Sequence, residues 1–182
     1  VVSYQTAWLK YYYPVEYMAA LMTSVIDNPG KVAEYIYSCR QMGIKILPPD
    51  INHGYSSFSV DNGSIRYGLA AIKSIGRPVI KEIVAERKAN GEFKNLKDFI
   101  ERMSGKDINK RTIENFIKSG AFDELGGTRK QFMVIYVQIL DQVNREKKNS
   151  MTGQMSLFDI VGEEQKSEFD IPLPNVGEYE KS

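Results

Sequence analysis

The hydrophobic positions of the first 67 residues change from helical spacing to short apolar runs. Apolar side chains recur at helical intervals over 4–13, 15–26 and 31–42, which predicts three helices. Pro14 begins the second helix, because proline is tolerated at the first helical position. The runs 44–47, 58–60 and 65–67 predict short strands. Asn62 and Gly63 between the last two runs predict a tight hairpin turn.

From Gly68 onward the spacing is helical again, in short segments. The segments share glycine-containing boundaries and predict helices over 69–74, 79–89, 95–102, 110–119 and 128–147. After Lys148 the periodicity stops, and an acidic tail of low apolar content predicts a disordered segment. The fold class is therefore mainly α with a small β-hairpin and short strands (α+β). We divide the chain at 1–67, 68–148 and 149–182.

Charge is distributed unevenly although the net charge is only +1. Residues 66–130 carry 15 basic and 9 acidic side chains, whereas residues 151–182 carry 2 and 7. A basic block beside an acidic tail favours a module that binds a polyanion, followed by a solvated linker. A single cysteine, Cys39, excludes an intrachain disulfide framework, and the Cys and His spacing predicts no metal site.

No signal region or membrane-length apolar run occurs, so we expect a cytoplasmic protein with no membrane partner. The chain begins at Val1, which suggests a segment excised from a longer protein. His53, the single histidine, follows Pro48 and Pro49 in a loop without an obvious acidic partner pair, and we interpret it as a surface loop residue. Stacking on bases is one role open to the aromatic set Tyr4, Trp8, Tyr11, Tyr12, Tyr13 and Tyr17, but at helical spacing we interpret this set as core.

The segment 72–84 has the pattern of a helix, a tight turn and a second helix. In a helix-hairpin-helix, backbone N–H groups of the turn and of the second helix point at a DNA phosphate. Gly76 is expected to supply an unusual backbone conformation or a close approach. The candidate DNA-binding residues of this hairpin are Lys73, Ser74, Ile75, Gly76, Arg77 and Lys81. A plain helix–helix corner with solvated lysines explains the pattern equally well.

A second basic unit follows over 109–130 and predicts another short helical hairpin. Its candidate DNA-binding residues are Lys110, Arg111, Lys118 and Gly120. Two basic hairpins in tandem fit a module that holds duplex DNA at two places, without reading the base sequence. A helical bundle with an ordinary charged surface is the alternative.

The tail contains an isolated apolar cluster in polar sequence. It comprises Gln154, Met155, Ser156, Leu157 and Phe158. An extended peptide of this kind binds by placing apolar anchors in a partner's pocket, while a polar side chain sets the register. Packing of Leu157 and Phe158 against the preceding helices is the alternative, and for a generic sequence it is favoured.

Several stretches together resemble one known family. They are VSYQTAWLK at 2–10, YPVEYMAA at 13–20, MGIKILPPDIN at 42–52, GLAAIK at 68–73 and IKSGAFD at 117–123. These stretches are similar to the fingers region and the tandem helix-hairpin-helix of the bacterial DNA polymerase III alpha subunit. Ser74 and Pro78 depart from that pattern, since hairpin positions of the family often hold glycine.

The resemblance implies that residues 154–158 bind the bacterial sliding clamp (the beta subunit), and that the hairpins hold primer-template duplex DNA. It also implies a parent DNA-directed DNA polymerase that uses magnesium and assembles with other replicase subunits. None of the carboxylates here matches the metal-binding motif of that family, so we expect this segment to need no cofactor and to be inactive alone. The alternatives are a stand-alone helix-hairpin-helix DNA-binding or repair adaptor, and a helical scaffold without a nucleic-acid role.

Overall fold

The computed structural model describes residues 1–151 and 173–174, which form mainly helices and one small sheet. Two 3₁₀ turns are also present: Leu69–Ala71 lies between the last strand and the helix that follows it, and Asp123–Leu125 connects the last two helices. The regular elements are α1 (Val2–Tyr12), α2 (Pro14–Ser24), α3 (Pro29–Gln41), β1 (Ile46–Leu47), β2 (Ser59–Asp61), β3 (Ser64–Arg66), α4 (Arg77–Asn90), α5 (Leu96–Met103), α6 (Lys110–Ser119) and α7 (Arg129–Met151). The predicted mainly α fold with short strands is confirmed. No helix of the described part is long and apolar enough to cross a membrane.

The small sheet has the strand order β1-β3-β2. β2 and β3 form the predicted hairpin, with Val60 opposite Ile65, and β1 adds in parallel with Ile46 opposite Ile65. Asn62 and Gly63 both have positive φ angles, of 49° and 75°. A two-residue hairpin turn requires these angles to match the twist of its strands, which explains the Asn-Gly pair.

A first core lies between α2, α3 and the sheet. Met22, Cys39 and Ile65 are fully buried in it, and the Cys39 thiol lies 3.8 Å from the Met22 sulfur. Burial raises the pKa of Cys39, because the thiolate would lose its hydration.

A second, larger core joins α4 to α7 and contains most of the buried phenylalanines. The Phe99 ring lies 5.0 Å from Phe93 and 4.9 Å from Phe122, in edge-to-face contacts that aromatic rings prefer. Ile51 belongs to this core although it precedes the sheet hairpin, while Ile65 belongs to the first. Because the two cores interleave in sequence, the division between residues 67 and 68 stays a prediction.

The loop after β1 is fastened to the second core by buried polar contacts. Arg87, only 8% exposed, donates to the Ile51 carbonyl over 2.8 Å, and its guanidinium lies 4.8 Å above the Tyr55 ring. The Asn52 side chain pairs with the Phe93 backbone in both directions, at 3.0 and 2.8 Å. These contacts fix the loop against α4 and the connection that follows it.

The sequence correctly placed His53 as an exposed loop residue, but it missed the acidic partners of His53 and misassigned the aromatic face of α1. His53 has acidic neighbours: its Nδ1 lies 2.8 Å from the buried Asp50 carboxylate and its Nε2 lies 3.6 Å from Glu92. Glu92 is distant in sequence, so only folding brings it near. The aromatic face of α1 is not core, since the helix has no buried residue and Tyr4 is 75% exposed.

An ion-pair network ties α4 to α5 around Glu86. The Glu86 carboxylate accepts hydrogen bonds from Lys106 Nζ at 2.6 Å, Asn90 Nδ2 at 2.7 Å and Arg102 Nε at 3.1 Å. These bonds, first that of Lys106, lower the pKa of Glu86 to about 2. The folded state therefore favours the ionised form more strongly than the unfolded chain does.

This network predicts an acid-sensitive contribution to stability. Because the folded pKa of Glu86 lies below its ordinary value of 4.5, the stabilisation is present above that value and is lost as pH falls towards 2. Glu86→Gln should lower the free energy of unfolding at pH 7, and its deficit should shrink towards pH 2. Urea titrations at several pH values measure this. Lys106→Met should reproduce part of the loss, and a deficit independent of pH would contradict the assignment.

Candidate nucleic-acid interface

The candidate DNA-binding hairpin is built from a 3₁₀ turn, a four-residue turn and α4. The turn spans residues 72–75 and is closed by one bond, from the Ile75 N–H to the Ile72 carbonyl at 3.3 Å. Ile72 and Ile75 are buried, whereas Lys73 and Ser74 between them are exposed. The apolar ends of the turn therefore anchor it in the second core and present its middle to solvent.

The positive φ angle of this turn falls on Ser74, at 64°, and not on Gly76. Gly76 has φ −75° and ψ 141°, which any residue adopts, so the expectation that its conformation is unusual was wrong. The closing bond makes Ser74 the third residue of the turn, the position at which a type II turn has a positive φ angle. A Cβ on Gly76 would meet only Pro78 Cδ at 3.6 Å, which leaves this face open to a close approach from outside.

The first turn of α4 has no side-chain cap. By contrast, Asn28, Asn95 and Asn109 each accept a backbone N–H at the starts of α3, α5 and α6. The first N–H groups of a helix have no partner within the helix, and their partial positive charge favours an anion. At α4 these groups lie beside Gly76 and Arg77, which are both exposed.

Basic side chains surround the open end of α4. Lys73 and Lys81 are exposed and make no ion pair with another described residue. Arg77 pairs with Asp27 at 3.2 Å, but its side chain is 60% exposed and that of Asp27 82%. Such an exposed ion pair contributes little to stability, so Arg77 can exchange Asp27 for a phosphate.

α6 brings a further cation to this hairpin. Arg111 Nη2 donates to Ser74 Oγ at 3.4 Å, and Asn115 Nδ2 donates to the Lys73 carbonyl at 3.1 Å. The structure thus brings Lys73, Ser74 and Arg111 together. Asn115 was missed by sequence reasoning. Its position four residues after Arg111, on the same helical face, is the signal that could have found it.

In the second predicted hairpin, the Gly120 amide and Arg129 have partners within the chain. Gly120 ends α6 with φ 85°, and its N–H donates to the Ile117 carbonyl at 3.1 Å. Arg129 lies across the turn and forms a two-pronged pair with Asp123, at 2.9 and 2.6 Å. The hydrogen bond to Asp123 raises the pKa of Arg129. The Gly120 amide is thus engaged within the chain.

Lys110 and Lys118 of the second hairpin are also paired, whereas Lys130 is exposed and has no ion pair with another described residue. Lys110 lies 3.4 Å from Asp141 of α7, and Lys118 pairs with Glu114 one helical turn earlier. Thr128 and Gln131 cap the start of α7 through a 2.9 Å bond from the Thr128 N–H to the Gln131 side chain. Open backbone amides and unpaired cations therefore coincide at the first hairpin.

Comparison with known proteins supports the helix-hairpin-helix assignment and shows which proteins the chain resembles. Residues 43–132 match the family model of the helix-hairpin-helix motif. The chain is 44% identical to DNA polymerase III subunit alpha of Escherichia coli over 165 residues, 90% of this chain and 14% of that protein. The same subunit of Saccharopolyspora erythraea is 41% identical over 92% of the chain, and that of Mycobacterium tuberculosis 40% over 87%; these matches cover 14% and 13% of those proteins.

The chain is therefore similar, over about 90% of its length, to one segment of the DNA polymerase III alpha subunit. The resemblance drawn from the quoted stretches is therefore confirmed. The chain spans about one seventh of the length of the alpha subunits it matches. The matched hairpin segment includes the Ser74 turn, α4 and α6, which are the parts that form the open surface described above.

Two groups of predicted site residues remain to be placed. Gln154, Met155, Ser156, Leu157 and Phe158 lie outside the described residues. Within the described part of the chain, no three His, Cys, Asp or Glu side chains converge on a possible metal position.

The left-handed angle at Ser74 predicts a stabilising substitution. A residue with a Cβ costs about 1–2 kcal/mol in this conformation, and glycine does not, although glycine loses more entropy on folding. Ser74→Gly should therefore raise the free energy of unfolding by about 0.5–1 kcal/mol, measured by urea titration. Ser74→Ala is the matched control, because it keeps the Cβ and removes the hydroxyl. An equal gain in both variants would contradict the strain argument.

Proposed function

We propose that residues 68–130 bind the backbone of duplex DNA without sequence preference, within a replicative polymerase. One observation carries the proposal: the uncapped start of α4 coincides with exposed Lys73 and Lys81, the exchangeable Arg77 and the neighbouring Arg111. Amide groups and cations of this kind recognise phosphates and carry no base information. The match of residues 43–132 to the helix-hairpin-helix family supports the same chemistry.

The first hairpin is the principal contact in this proposal. Its amides and cations are available, whereas Lys110, Lys118 and the Gly120 amide have partners within the chain. Lys110 and Lys118 are exposed, so they can add charge near a neighbouring phosphate. Breaking their exposed ion pairs costs less free energy than breaking a buried pair. Gly120 contributes by its left-handed backbone conformation, which ends α6 and shapes the turn after it.

The parent protein is proposed to be a template-directed DNA polymerase, since the relatives carry that name. Magnesium would bind to residues of the parent outside this chain, and the other replicase subunits would act through the parent. A stand-alone DNA-repair adaptor is less well supported, because the similarity to alpha subunits covers about 90% of the chain and so extends beyond the hairpin segment 43–132.

We further propose that Gln154, Met155, Ser156, Leu157 and Phe158 bind the bacterial sliding clamp. The peptide follows α7, offers Leu157 and Phe158 as adjacent apolar anchors, and carries Gln154 as a hydrogen-bonding group. Apolar anchors in an extended peptide supply affinity, and a polar group sets its register. Clamp binding would keep the polymerase close to the DNA that the hairpin holds.

Charge reversal at the first hairpin tests the DNA proposal. Lys73→Glu, Arg77→Glu and Lys81→Glu together should weaken binding to duplex DNA and flatten its dependence on salt, since each lost phosphate contact lowers the slope by about 0.9. Fluorescence anisotropy at several salt concentrations measures both. The matched control reverses Lys10, Arg40 and Lys45, which are exposed in the first 67 residues and give the same change in net charge. Equal losses of DNA affinity in both variants would mean that net charge, and not the position of these three residues, determines binding.

Truncation of the two anchors tests the clamp proposal. Leu157→Ala or Phe158→Ala removes buried apolar area worth about 1.5–3 kcal/mol, so each should weaken clamp binding about tenfold or more. Calorimetric titration of the protein into its cognate clamp gives the affinities. Val161→Ala is the control, because it shortens an apolar side chain outside the motif. If the double variant Leu157→Ala, Phe158→Ala binds the clamp with unchanged affinity, the clamp assignment is wrong.

A further inference from the structure

The turn of the first hairpin has little support of its own. Its single closing bond, from Ile75 to the Ile72 carbonyl, measures 3.3 Å, which is long for an N–H to oxygen bond. Ser74 occupies the left-handed region with a side chain, which is energetically unfavourable. A turn of this kind needs outside contacts to persist in one conformation.

α6 supplies such a contact. Asn115 Nδ2 donates to the Lys73 carbonyl at 3.1 Å, so it holds the peptide group that leads into Ser74. Arg111, one helical turn earlier, reaches the Ser74 hydroxyl over 3.4 Å. The Asn115 bond is the shorter of the two and involves the backbone, so it restrains the turn more directly.

The helix that provides Asn115 is itself held firmly. α6 buries Ile113, Phe116 and Ile117 in the second core. Asn109 caps its start through a 2.9 Å bond from the Thr112 N–H, and Gly120 ends it. A side chain on this helix therefore acts as a fixed support for the first hairpin, although it belongs to the second.

We propose that Asn115 is a positioning residue for phosphate binding by the first hairpin. By fixing the Lys73 carbonyl, it keeps Ser74 left-handed, directs the Lys73 side chain outward and aligns the open start of α4. The two hairpins then act as one unit, because the first helix of the second hairpin shapes the turn of the first. This inference rests on the proposed DNA-binding function.

Asn115→Ala tests the inference in the full chain with a blunt duplex DNA. Loss of one neutral hydrogen bond should weaken binding by about three- to tenfold. The salt dependence of binding should also flatten, since displaced Lys73 and α4 make fewer phosphate contacts. An uncharged residue that touched DNA itself would leave that slope unchanged. Asn144→Ala is the matched control, because Asn144 is an exposed asparagine of α7.

A rescue variant separates positioning from direct contact. Ser74→Gly removes the cost of the left-handed angle, so the turn should keep its shape without Asn115. The double variant Asn115→Ala, Ser74→Gly should therefore recover the affinity and slope of Ser74→Gly alone. Circular dichroism confirms folding of each variant. Failure of the double variant to recover, or an unchanged affinity of Asn115→Ala, would overturn the inference.

The same titrations distinguish this inference from the function on which it depends. If the unmodified chain does not bind duplex DNA in a salt-dependent manner, the proposed function is wrong. If the unmodified chain binds and Asn115→Ala binds equally well, DNA binding stands and the positioning role is wrong.

Discussion

Edge-to-face packing of phenylalanine rings holds the second core together. Phe122 lies at its centre, 4.9 Å from Phe99, 5.7 Å from Phe116 and 6.5 Å from Phe132. α5 has 8 residues and α6 has 10, lengths at which isolated helices are marginal in water. These helices therefore depend on the aromatic contacts, and the positions of both hairpins follow from them.

The candidate interface is the outer side of that core. Ile72, Ile75, Val79 and Ile80 are buried, whereas Lys73, Ser74, Gly76 and Arg77 between them are exposed. The turn is thereby exposed next to the uncapped start of α4, and the packing of α6 on the same core brings Arg111 to it. A phosphate-binding surface of this kind needs no pocket, because the duplex brings its own negative charge to an open, positively charged face.

Local chemistry was enough to predict several elements. Asn62 and Gly63 predicted the turn that the structure contains, and the predicted helix over 110–119 agrees with α6. Contacts between distant residues could not be predicted in the same way. The pairing of His53 with Glu92 and of Asn115 with the Lys73 carbonyl depends on how helices pack.

The two other differences also have physical reasons. Periodicity in α1 revealed an apolar face, but burial requires a second surface against that face, and α1 has no buried residue. Gly76 was expected to supply an unusual backbone conformation or a close approach, yet the positive φ angle of the turn lies on Ser74. The residue type alone therefore did not identify the left-handed position.

Amide chemical-shift mapping tests the central claim most directly. In ¹⁵N–¹H spectra of the chain titrated with duplex DNA, the largest perturbations should fall on the amides of Lys73, Gly76, Arg77 and Val79, with Arg111 nearby. Two duplexes of unrelated sequence should give the same pattern, since phosphates are contacted and bases are not. Perturbations centred on α1 or on the Gly120 turn, or a pattern that changes with base sequence, would contradict the account.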